Sequence, residues 1–430
     1  MNRTRGPAVG RTASPSTARA INDRLALRLL VSEGPLTAGQ LKALTGLSRP
    51  TVADLVERLQ EAGLLAVVGE SGAQRRGPNA RLYGIVANRA HTAALDLRPH
   101  SATVAVADLL GRVLAEQTVP VPPGTEPAQA AEAGLAALEK CLVRADADRP
   151  HTVAVGAPGL IDPATGRLGG TDWVPAWHTA LIGAVGGFRD TSVLVENEVN
   201  LAALAEQRAG AARDRDTFVL LWLGHGTGAA VVLDGRLRRG ASGGTGEIGF
   251  LPVPGTGALP TASSCDGGFH SLAGSAAILG LAAEHGIAAD PDAVAGPGAA
   301  EEYGAGGEGG DAAPAHPAEA AVRAALAAGP AAAGFLDELA ARIAVGVAAV
   351  SAVLDPGCVV LGGETGRAGG DVLATRVAGH LARISPLRTE VRAGTVGGRA
   401  VLCGAVLAAT DAAQRDLFVP ADRKPAAAPG

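Results

Sequence analysis

Short apolar runs that end at glycine- or proline-containing turns recur over residues 92–363 of this 430-residue chain. Runs of about four to eight such residues are typical of buried β-strands. Stretches with helical periodicity lie between them, so the sequence predicts an α/β protein. With 47% hydrophobic residues the chain can fill large buried cores, and its length predicts two to four domains.

The predicted elements of this region fall into two similar series, in which a strand meander is followed by alternating helices and strands. The elements are strands 92–97, 102–107, 112–119, 152–155, 193–195, 218–223, 229–233 and 358–361, with a helix over 128–144. Such an order indicates two similar α/β lobes with a cleft between them. Ligands bind preferentially in clefts of this kind.

The N-terminal region is predicted to begin with two helices separated by Gly34-Pro35. The first starts near residue 21, and its apolar face is predicted to contain Ile21, Leu25 and Leu29. The second begins at Thr37 and is predicted to bury Leu41 and Leu44. Residues 1–19, rich in Ser, Pro, Thr and Arg, are predicted to be a disordered basic tail.

A third helix is predicted after Ser48, which is a favourable N-cap, and before Gly63. Its apolar residues follow the i, i+3, i+4, i+7 spacing of an amphipathic helix: Val52, Leu55, Val56 and Leu59. Two helices joined by a short turn that contains Gly46 predict a helix-turn-helix. The third helix would then lie in the major groove of DNA with its first residues toward the bases.

The residues predicted to contact DNA lie at the starts of the second and third helices and on a loop that follows them. Arg49 can pair with guanine or phosphate, and Thr51 can meet a phosphate or a thymine methyl. Strands 64–68 and 81–86 predict a hairpin whose loop, residues 69–80, is a basic wing suited to the minor groove. The predicted contacts are Thr37, Ser48, Arg49, Thr51, Asp54, Arg75, Arg76 and Asn79. The alternative is a small helical domain whose charges are only solvated.

The distribution of charge favours DNA binding. Residues 1–90 contain 13 Lys and Arg against 6 Asp and Glu, a net +7, within a chain of net charge −5. The remainder contains 24 against 36, a net −12. A basic segment joined to an acidic body suggests a nucleic-acid-binding module. Aromatic residues make up only 3%, which argues against stacking on single-stranded bases.

The cysteines and apolar segments predict a soluble protein of the reducing cytosol, with no membrane contact. Cys141, Cys265, Cys358 and Cys403 are far apart and suggest neither a disulfide framework nor a complete zinc site. The apolar helical stretch 343–354 is too short to span a bilayer. The N-terminus lacks the apolar core of a signal peptide.

Several motifs of the body occur together in a specific order, although each is weak alone. They are Gly156-Ala-Pro-Gly-Leu-Ile-Asp162, Leu223-Gly-His-Gly-Thr-Gly-Ala229, Gly246-Glu-Ile-Gly249, Leu361-Gly-Gly363 and Gly404-Ala-Val-Leu-Ala408. In this order they resemble the repressor, open-reading-frame and kinase (ROK) family in its regulator branch, from about residue 20 to 412. The resemblance implies a winged helix-turn-helix fused to a two-lobed, actin/hexokinase-like (ribonuclease H-like) body.

Two departures from the family's kinases imply that the chain is not an enzyme and needs no cofactor. The kinases hold ATP phosphates on a glycine-rich Asp-x-Gly-x-Thr loop, because bare backbone N–H groups must approach the anion. This chain has Asp96-Leu-Arg-Pro-His-Ser101 at that place, without the glycines. At the place of the catalytic Asp it has Glu198, one methylene longer, and a displacement of ~1 Å can cost about 10²-fold in rate.

The family's zinc element is also incomplete, so no metal is expected. Phe250 replaces the histidine that closes the family's Gly-Glu-x-Gly-His motif. Segment 261–268 has only Cys265 where the family has several cysteines. One thiol with His270 nearby does not supply the four ligands of a structural zinc site.

The resemblance implies a remnant of the sugar site in the cleft. The family positions correspond here to Asn197, Glu198, Glu247, Phe250 and His270, and Gly159 is also expected to contact the effector. Trp173 replaces a further family Asn, and it either stacks on a sugar face or fills the pocket. Polar groups remain at most of these positions, so a polyol can still be bound. The alternative is that Glu198 and Glu247 only cap loops and pair with arginines. Arg236, Arg238 and Arg239 are interpreted as the solvated face of a hairpin.

The expected domains are a winged helix-turn-helix over 20–88, a first lobe over 89–200 completed by 395–415, and a second lobe over 201–394. A flexible insertion is expected at 288–316 and a tail at 416–430. The predicted function is a DNA-binding transcriptional repressor controlled by a sugar or sugar derivative, a homodimer or homotetramer on a palindromic operator. The alternatives are a bifunctional sugar kinase and a regulator that answers to a protein partner without an effector.

Overall fold

The computed structural model describes residues 15–71, 80–169, 174–288 and 316–418. The helices are α1 (Pro15–Ser32), α2 (Ala38–Thr45), α3 (Arg49–Glu61), α4 (Pro127–Arg144), α5 (Ala176–Val185), α6 (Glu198–Ala209), α7 (His270–Ala273), α8 (Ser275–Glu284), α9 (Pro317–Ala328), α10 (Ala333–Leu354), α11 (Gly363–Ile384) and α12 (Ala400–Leu417). The strands are β1 (Leu36–Thr37), β2 (Leu65–Ser71), β3 (Ala80–Ile85), β4 (His91–Arg98), β5 (Ser101–Asp108), β6 (Val113–Pro120), β7 (Pro150–Ala157), β8 (Ser192–Asn197), β9 (Phe218–Leu223), β10 (Thr227–Leu233), β11 (Arg236–Arg238), β12 (Cys358–Gly362) and β13 (Glu390–Ala393).

The N-terminal elements form a winged helix, as the sequence predicted. Helix α3 begins after its N-cap Ser48 and buries the four predicted apolar residues. Its capped start and clean amphipathic spacing explain why this helix was predicted to within a residue at each end. Strands β2 and β3 form the predicted antiparallel hairpin, and β1 adds to its other side in the order β1-β3-β2.

Three predictions for this region were wrong. Helix α1 begins at Pro15, so residues 15–19 are helical; the rest of the predicted tail lies outside the described residues. Ile21 is 59% exposed and Leu25 is 40% exposed, because α1 packs through its neighbouring stripe of Ala26, Leu27 and Leu30. Leu44 is 52% exposed, since the short helix α2 buries only Leu41.

The body contains two five-stranded sheets of matching design, which confirms the two predicted series. The first sheet, here called lobe 1 with its packed helices, has the order β6-β5-β4-β7-β8. The second, lobe 2, has the order β11-β10-β9-β12-β13. In each, antiparallel strands of a meander are extended by parallel strands that follow helical crossovers.

Helices α6 and α12 form a layer between the two sheets. Helix α12 packs on β4, β5 and β7 of lobe 1, while α6 packs on β9 and β10 of lobe 2. The two helices approach closely at Gly404, which has no side chain. A Cβ at this position would overlap the carbonyl oxygen of Leu201. One hydrophobic core therefore runs from one lobe to the other, and the cleft is confined to the ends of the strands.

Helix α12 also joins the body to the winged helix. Phe418, directly after α12, is 4% exposed and belongs to the same hydrophobic cluster as Leu27 and Leu55. Leu109, at the turn between β5 and β6, joins this cluster, and its carbonyl accepts a hydrogen bond of 2.8 Å from Gln414 Nε2. The prediction of a tail from residue 416 was therefore wrong for 416–418. Residues 416 and 417 belong to α12, and Phe418 packs in the cluster that contains Leu27 and Leu109.

The remaining predicted segments fall largely outside the described residues. Of the insertion expected at 288–316, only residues 288 and 316 are described, and residues 419–430 of the tail are not described. None of the described helices combines the length and the hydropathy that crossing a bilayer would require.

Candidate functional site

The start of α3 presents an exposed arginine on a capped helix. Ser48 Oγ accepts a hydrogen bond of 3.3 Å from the Thr51 backbone N–H and lies 2.8 Å from Thr51 Oγ1. These two predicted DNA-binding residues therefore stabilise the first turn. Arg49 is exposed and has no hydrogen-bond or ion-pair partner within the described part of the chain. Its guanidinium is free to meet a base or a phosphate.

Asp54 and Thr37, also predicted to contact DNA, have internal partners. Asp54 pairs with Arg58 one turn later, and Arg58 reaches α1 with a hydrogen bond of 2.7 Å to Asp23. Thr37 forms a capping box with Gln40 at the start of α2. Thr37 thus stabilises the start of α2, and Asp54 helps to position the Arg58 side chain that joins α3 to α1. The predicted wing residues Arg75, Arg76 and Asn79 lie outside the described residues.

In the cleft, the amino end of α6 carries Asn197 and Glu198. The Asn197 side chain caps the helix by accepting from the Val199 N–H at 2.9 Å. Its Nδ2 donates to the Gly159 carbonyl oxygen at 3.1 Å, which joins two predicted effector-binding residues. Asn197 therefore fixes the loop that contains Gly159 against the end of α6.

An ion pair between the lobes closes one side of this cleft. Arg239, which follows β11 in lobe 2, places its Nε and Nη2 atoms 2.6 Å from Glu196 Oε2 in lobe 1. Glu196 Oε1 in turn accepts from Asn200 Nδ2 at 2.9 Å. Beside this pair, Gly243 has a φ of +83°, and a Cβ there would overlap the Ile161 carbonyl oxygen. Arg239 is exposed, as the sequence predicted, and the structure adds a partner from the other lobe.

Glu198, the first residue of α6, is partly buried. Its Oε2 atom has no hydrogen-bond partner within the described residues. Burial, together with the nearby carboxylates of Glu247, Asp96 and Glu364, raises the pKa of Glu198 to about 8. The Glu198 carboxyl group is therefore mostly protonated at neutral pH.

Glu247 and His270 lie on the lobe 2 side of the cleft. Burial raises the pKa of the Glu247 carboxyl. Burial also lowers the pKa of His270, so the His270 imidazole is neutral at pH 7. His270 packs beside Gly249, and its Nδ1 lies 3.5 Å from Thr227 Oγ1. Phe250 is partly buried, and within the described ranges no group of three or more His, Cys, Asp or Glu could hold a metal ion.

Arg98, in the segment that the resemblance aligns with the kinases' phosphate loop, pairs with residues of both lobes. Its Nε lies 3.1 Å from Asp96 Oδ2, and its Nη1 lies 3.5 Å from Glu364 Oε1 at the start of α11 in lobe 2. Its Nη2 donates to the Gly398 carbonyl oxygen at 2.9 Å. The guanidinium of Arg98 thus joins carboxylates of both lobes.

A small cavity lies beside α6, β9 and β12. Trp222, Gly362, Gly363 and Gly394 line a cavity of about 20 Å³. That volume holds about one water, whereas ligand pockets measure ≈ 300–1,000 Å³. Glu206 on α6 closes this end by accepting hydrogen bonds from the N–H groups of Thr395 (3.2 Å) and Val396 (3.0 Å). A larger cavity of about 540 Å³ lies beyond the end of α11 and contains none of the predicted site residues.

Sequence reasoning did not identify Arg98, Glu196, Arg239 or Glu206 as parts of the site. In the sequence, Arg98 was noted only as part of a segment that lacks the kinases' glycines. Its ion pair with Glu364 of lobe 2 cannot be inferred from that segment alone. Glu196 precedes the Asn197-Glu198 motif directly, which is the one local signal that could have drawn attention to it. The predicted Trp173 lies outside the described residues.

Comparison with protein families gives two matches that divide the chain. Residues 92–412 match the ROK family, and residues 21–77 match the MarR family. Among solved structures, a ROK family transcriptional regulator that is a homolog of the E. coli MLC protein has a TM-score of 0.69 at 22% identity, covering 93% of this chain and 98% of that one. A ROK family glucokinase from Streptomyces griseus has a TM-score of 0.54 at 25% identity, covering 75% of this chain and 99% of that one.

Curated relatives include regulators of transcription. The DNA-binding transcriptional dual regulator NagC of Escherichia coli (strain K12) is 28% identical over 238 residues, which are 55% of this chain and 58% of NagC. The xylose repressor of Bacillus subtilis (strain 168) is 22% identical over 246 residues, 56% of this chain and 62% of that protein. The chain thus spans about three fifths of the length of these relatives.

Proposed function

Because this chain belongs to the ROK family, whose model matches residues 92–412, we propose that it is a sequence-specific DNA-binding repressor controlled by a sugar or sugar derivative. The observation that carries the proposal is the packing of helix α12. This helix packs between the lobes that bound the candidate sugar site, and the chain directly after it packs into the core of the winged helix. A ligand bound in the cleft can therefore act on the DNA-binding elements through packed side chains.

The body binds its ligand without phosphorylating it. Two features support this part of the proposal: the paired guanidinium of Arg98, where the resemblance implies a phosphate-binding glycine in the kinases, and the small volume of the cavity beside Trp222. Both argue against binding of a nucleotide. The names of NagC and the B. subtilis xylose repressor, which both describe regulators, agree with a non-enzymatic role.

The regulator acts as a homodimer or homotetramer on a palindromic operator in the cytoplasm. Two winged helices related by two-fold symmetry read half-sites at a fixed spacing. A ligand that prefers one arrangement of the lobes moves α12 and changes the spacing of the two winged helices. The ligand needs only to bind one arrangement better by a few kcal/mol.

Arg49→Ala is expected to weaken operator binding by about 1–3 kcal/mol, because a base contact of the recognition helix is lost. The measurement is fluorescence anisotropy on an operator selected from random DNA, compared with a scrambled duplex. Arg144→Ala, which removes the same charge from an exposed position on α4 of the body, is the matched control. Equal losses of affinity for operator and scrambled DNA would contradict base reading by Arg49.

A further inference from the structure

Helix α3 carries an acidic surface on the side that faces away from the core of the winged helix. Its apolar residues are buried on one side of the helix: Val52, Leu55, Val56 and Leu59. With about 3.6 residues per turn, four exposed residues lie on the opposite side: Pro50, Asp54, Glu57 and Glu61. When α3 lies in the major groove, this side faces the base edges. Three of the four residues that would face the DNA are therefore carboxylates.

The carboxylates of Asp54 and Glu57 differ in their partners. Asp54 is paired with Arg58, whose Nη2 also donates to Asp23 Oδ1 at 2.7 Å. Glu57 has no hydrogen-bond or ion-pair partner within the described residues. None of the side chains three or four positions away on α3, where helical neighbours meet, is positively charged. The Glu57 carboxylate is therefore free to accept a hydrogen bond from outside the protein.

The position of Glu57 along α3 matches the width of the groove. Arg49 begins the helix, and Glu57 lies eight residues later, about 12 Å along the axis at 1.5 Å per residue. The major groove is itself about 12 Å wide. Glu61, the last residue of α3, lies about 18 Å from Arg49 along the axis and falls outside this width. Glu57 is therefore the unpaired carboxylate that can meet a base in the same groove as Arg49.

A carboxylate in the major groove has one favourable partner among the four bases. An ionised carboxylate only accepts hydrogen bonds. Guanine presents two acceptors, thymine an acceptor and a methyl group, and adenine an acceptor beside its amino donor. Cytosine alone presents a donor, its N4 amino group, without an acceptor beside it. An unpaired carboxylate thus selects cytosine both by attraction and by repulsion from the acceptors of the other bases.

We propose that Glu57 determines part of the DNA specificity by accepting a hydrogen bond from the N4 amino group of a cytosine in each half-site of the operator. The inference rests on the proposed function and specifies one base of the DNA that the protein recognises. Base pairs follow one another at about 3.4 Å along the duplex. The separation of Glu57 from Arg49 then places the cytosine within about four base pairs of the Arg49 contact.

The inference is tested by selecting DNA from a random pool with the full chain, as wild type and as Glu57→Gln. The wild type is expected to require cytosine at one position of each half-site. A glutamine both donates and accepts, and its bidentate partner in the major groove is adenine. Glu57→Gln is therefore expected to prefer adenine at that position and to keep the other positions. In fluorescence anisotropy, the wild type is expected to bind the cytosine duplex at least about fivefold more tightly than the adenine duplex.

Two further variants separate base recognition from a general effect of charge. Glu139→Gln makes the same change at an exposed position on α4 of the body and is expected to keep the wild-type base preferences. Glu57→Ala removes the acceptor and is expected to lose the preference for cytosine. Unchanged base preferences in both Glu57 variants, or an equal gain of affinity for every sequence, would overturn the inference while leaving sequence-specific binding intact. A wild-type chain that enriches no sequence would instead overturn the proposed function and the inference with it.

Discussion

Phe418→Ala is expected to lower the free energy of unfolding by about 3–5 kcal/mol, the usual cost of truncating a buried phenylalanine. Phe418 is 4% exposed and packs in one cluster with Leu109 of the body and Leu27 of α1. Its loss leaves a cavity where the body and the winged helix meet. Because that contact carries the proposed signal, the effect of ligand on DNA binding is expected to be lost as well.

The stability change is measured by urea denaturation, and the coupling by operator binding with and without ligand. Val353→Ala is the matched control, because Val353 is an apolar helical residue that is 83% exposed. A substitution of this kind usually changes the free energy of unfolding by less than about 0.5 kcal/mol. An unchanged unfolding midpoint for Phe418→Ala would contradict the packing described here, and a retained ligand response would contradict its role in coupling.

Arg98→Ala is expected to cost about 3–5 kcal/mol of stability, because it leaves the buried carboxylate of Asp96 without its partner. Burial raises the pKa of Asp96, and Arg98 opposes that rise. Without Arg98 the pKa rises further, so the stability of the variant falls as the pH rises through that pKa. The loss is therefore expected to be greater at pH 8 than at acidic pH, where Asp96 is protonated.

The double variant Arg98→Ala with Asp96→Asn separates the ion pair from the rest of the side chain. Removing both charges is expected to recover much of the stability lost by Arg98→Ala alone, as a double-mutant cycle measured by urea denaturation would show. If the two single effects simply add at pH 8, Arg98 does not stabilise the protein through Asp96.

The parts of the fold that were predicted from the sequence are those encoded by local periodicity. The central strands of both lobes and helix α3 were predicted because their buried faces repeat along consecutive residues. The edge strands β11 and β13 of lobe 2 were not predicted. The buried face of α1 was predicted wrongly. Ile21, Leu25 and Leu29 have the same helical spacing as the residues that are in fact buried, which include Ala26, Leu27 and Leu30. Only the contacts with α2, α3 and β3 decide between the two faces.

The residues of the candidate site were likewise predictable only where they stand in local motifs. Asn197, Glu198, Glu247 and His270 stand in recognisable motifs, so the sequence could nominate them. The pairing of Arg98 with Glu364 and of Arg239 with Glu196 joins residues from different lobes, and no local pattern carries that information. Phe418 was assigned to a tail for the same reason, since the partners that bury it precede it by hundreds of residues.

The central claim is that a ligand in the cleft controls DNA binding by the winged helix. It is tested most directly by selecting an operator from random DNA without ligand and then measuring its affinity for the full chain with and without a sugar that is found to bind by calorimetry. Allosteric coupling is typically worth about 1–3 kcal/mol, or 5–150-fold in affinity. We expect a saturating concentration of the sugar to weaken operator binding at least fivefold. An affinity that stays within twofold when the cleft is saturated would contradict the account.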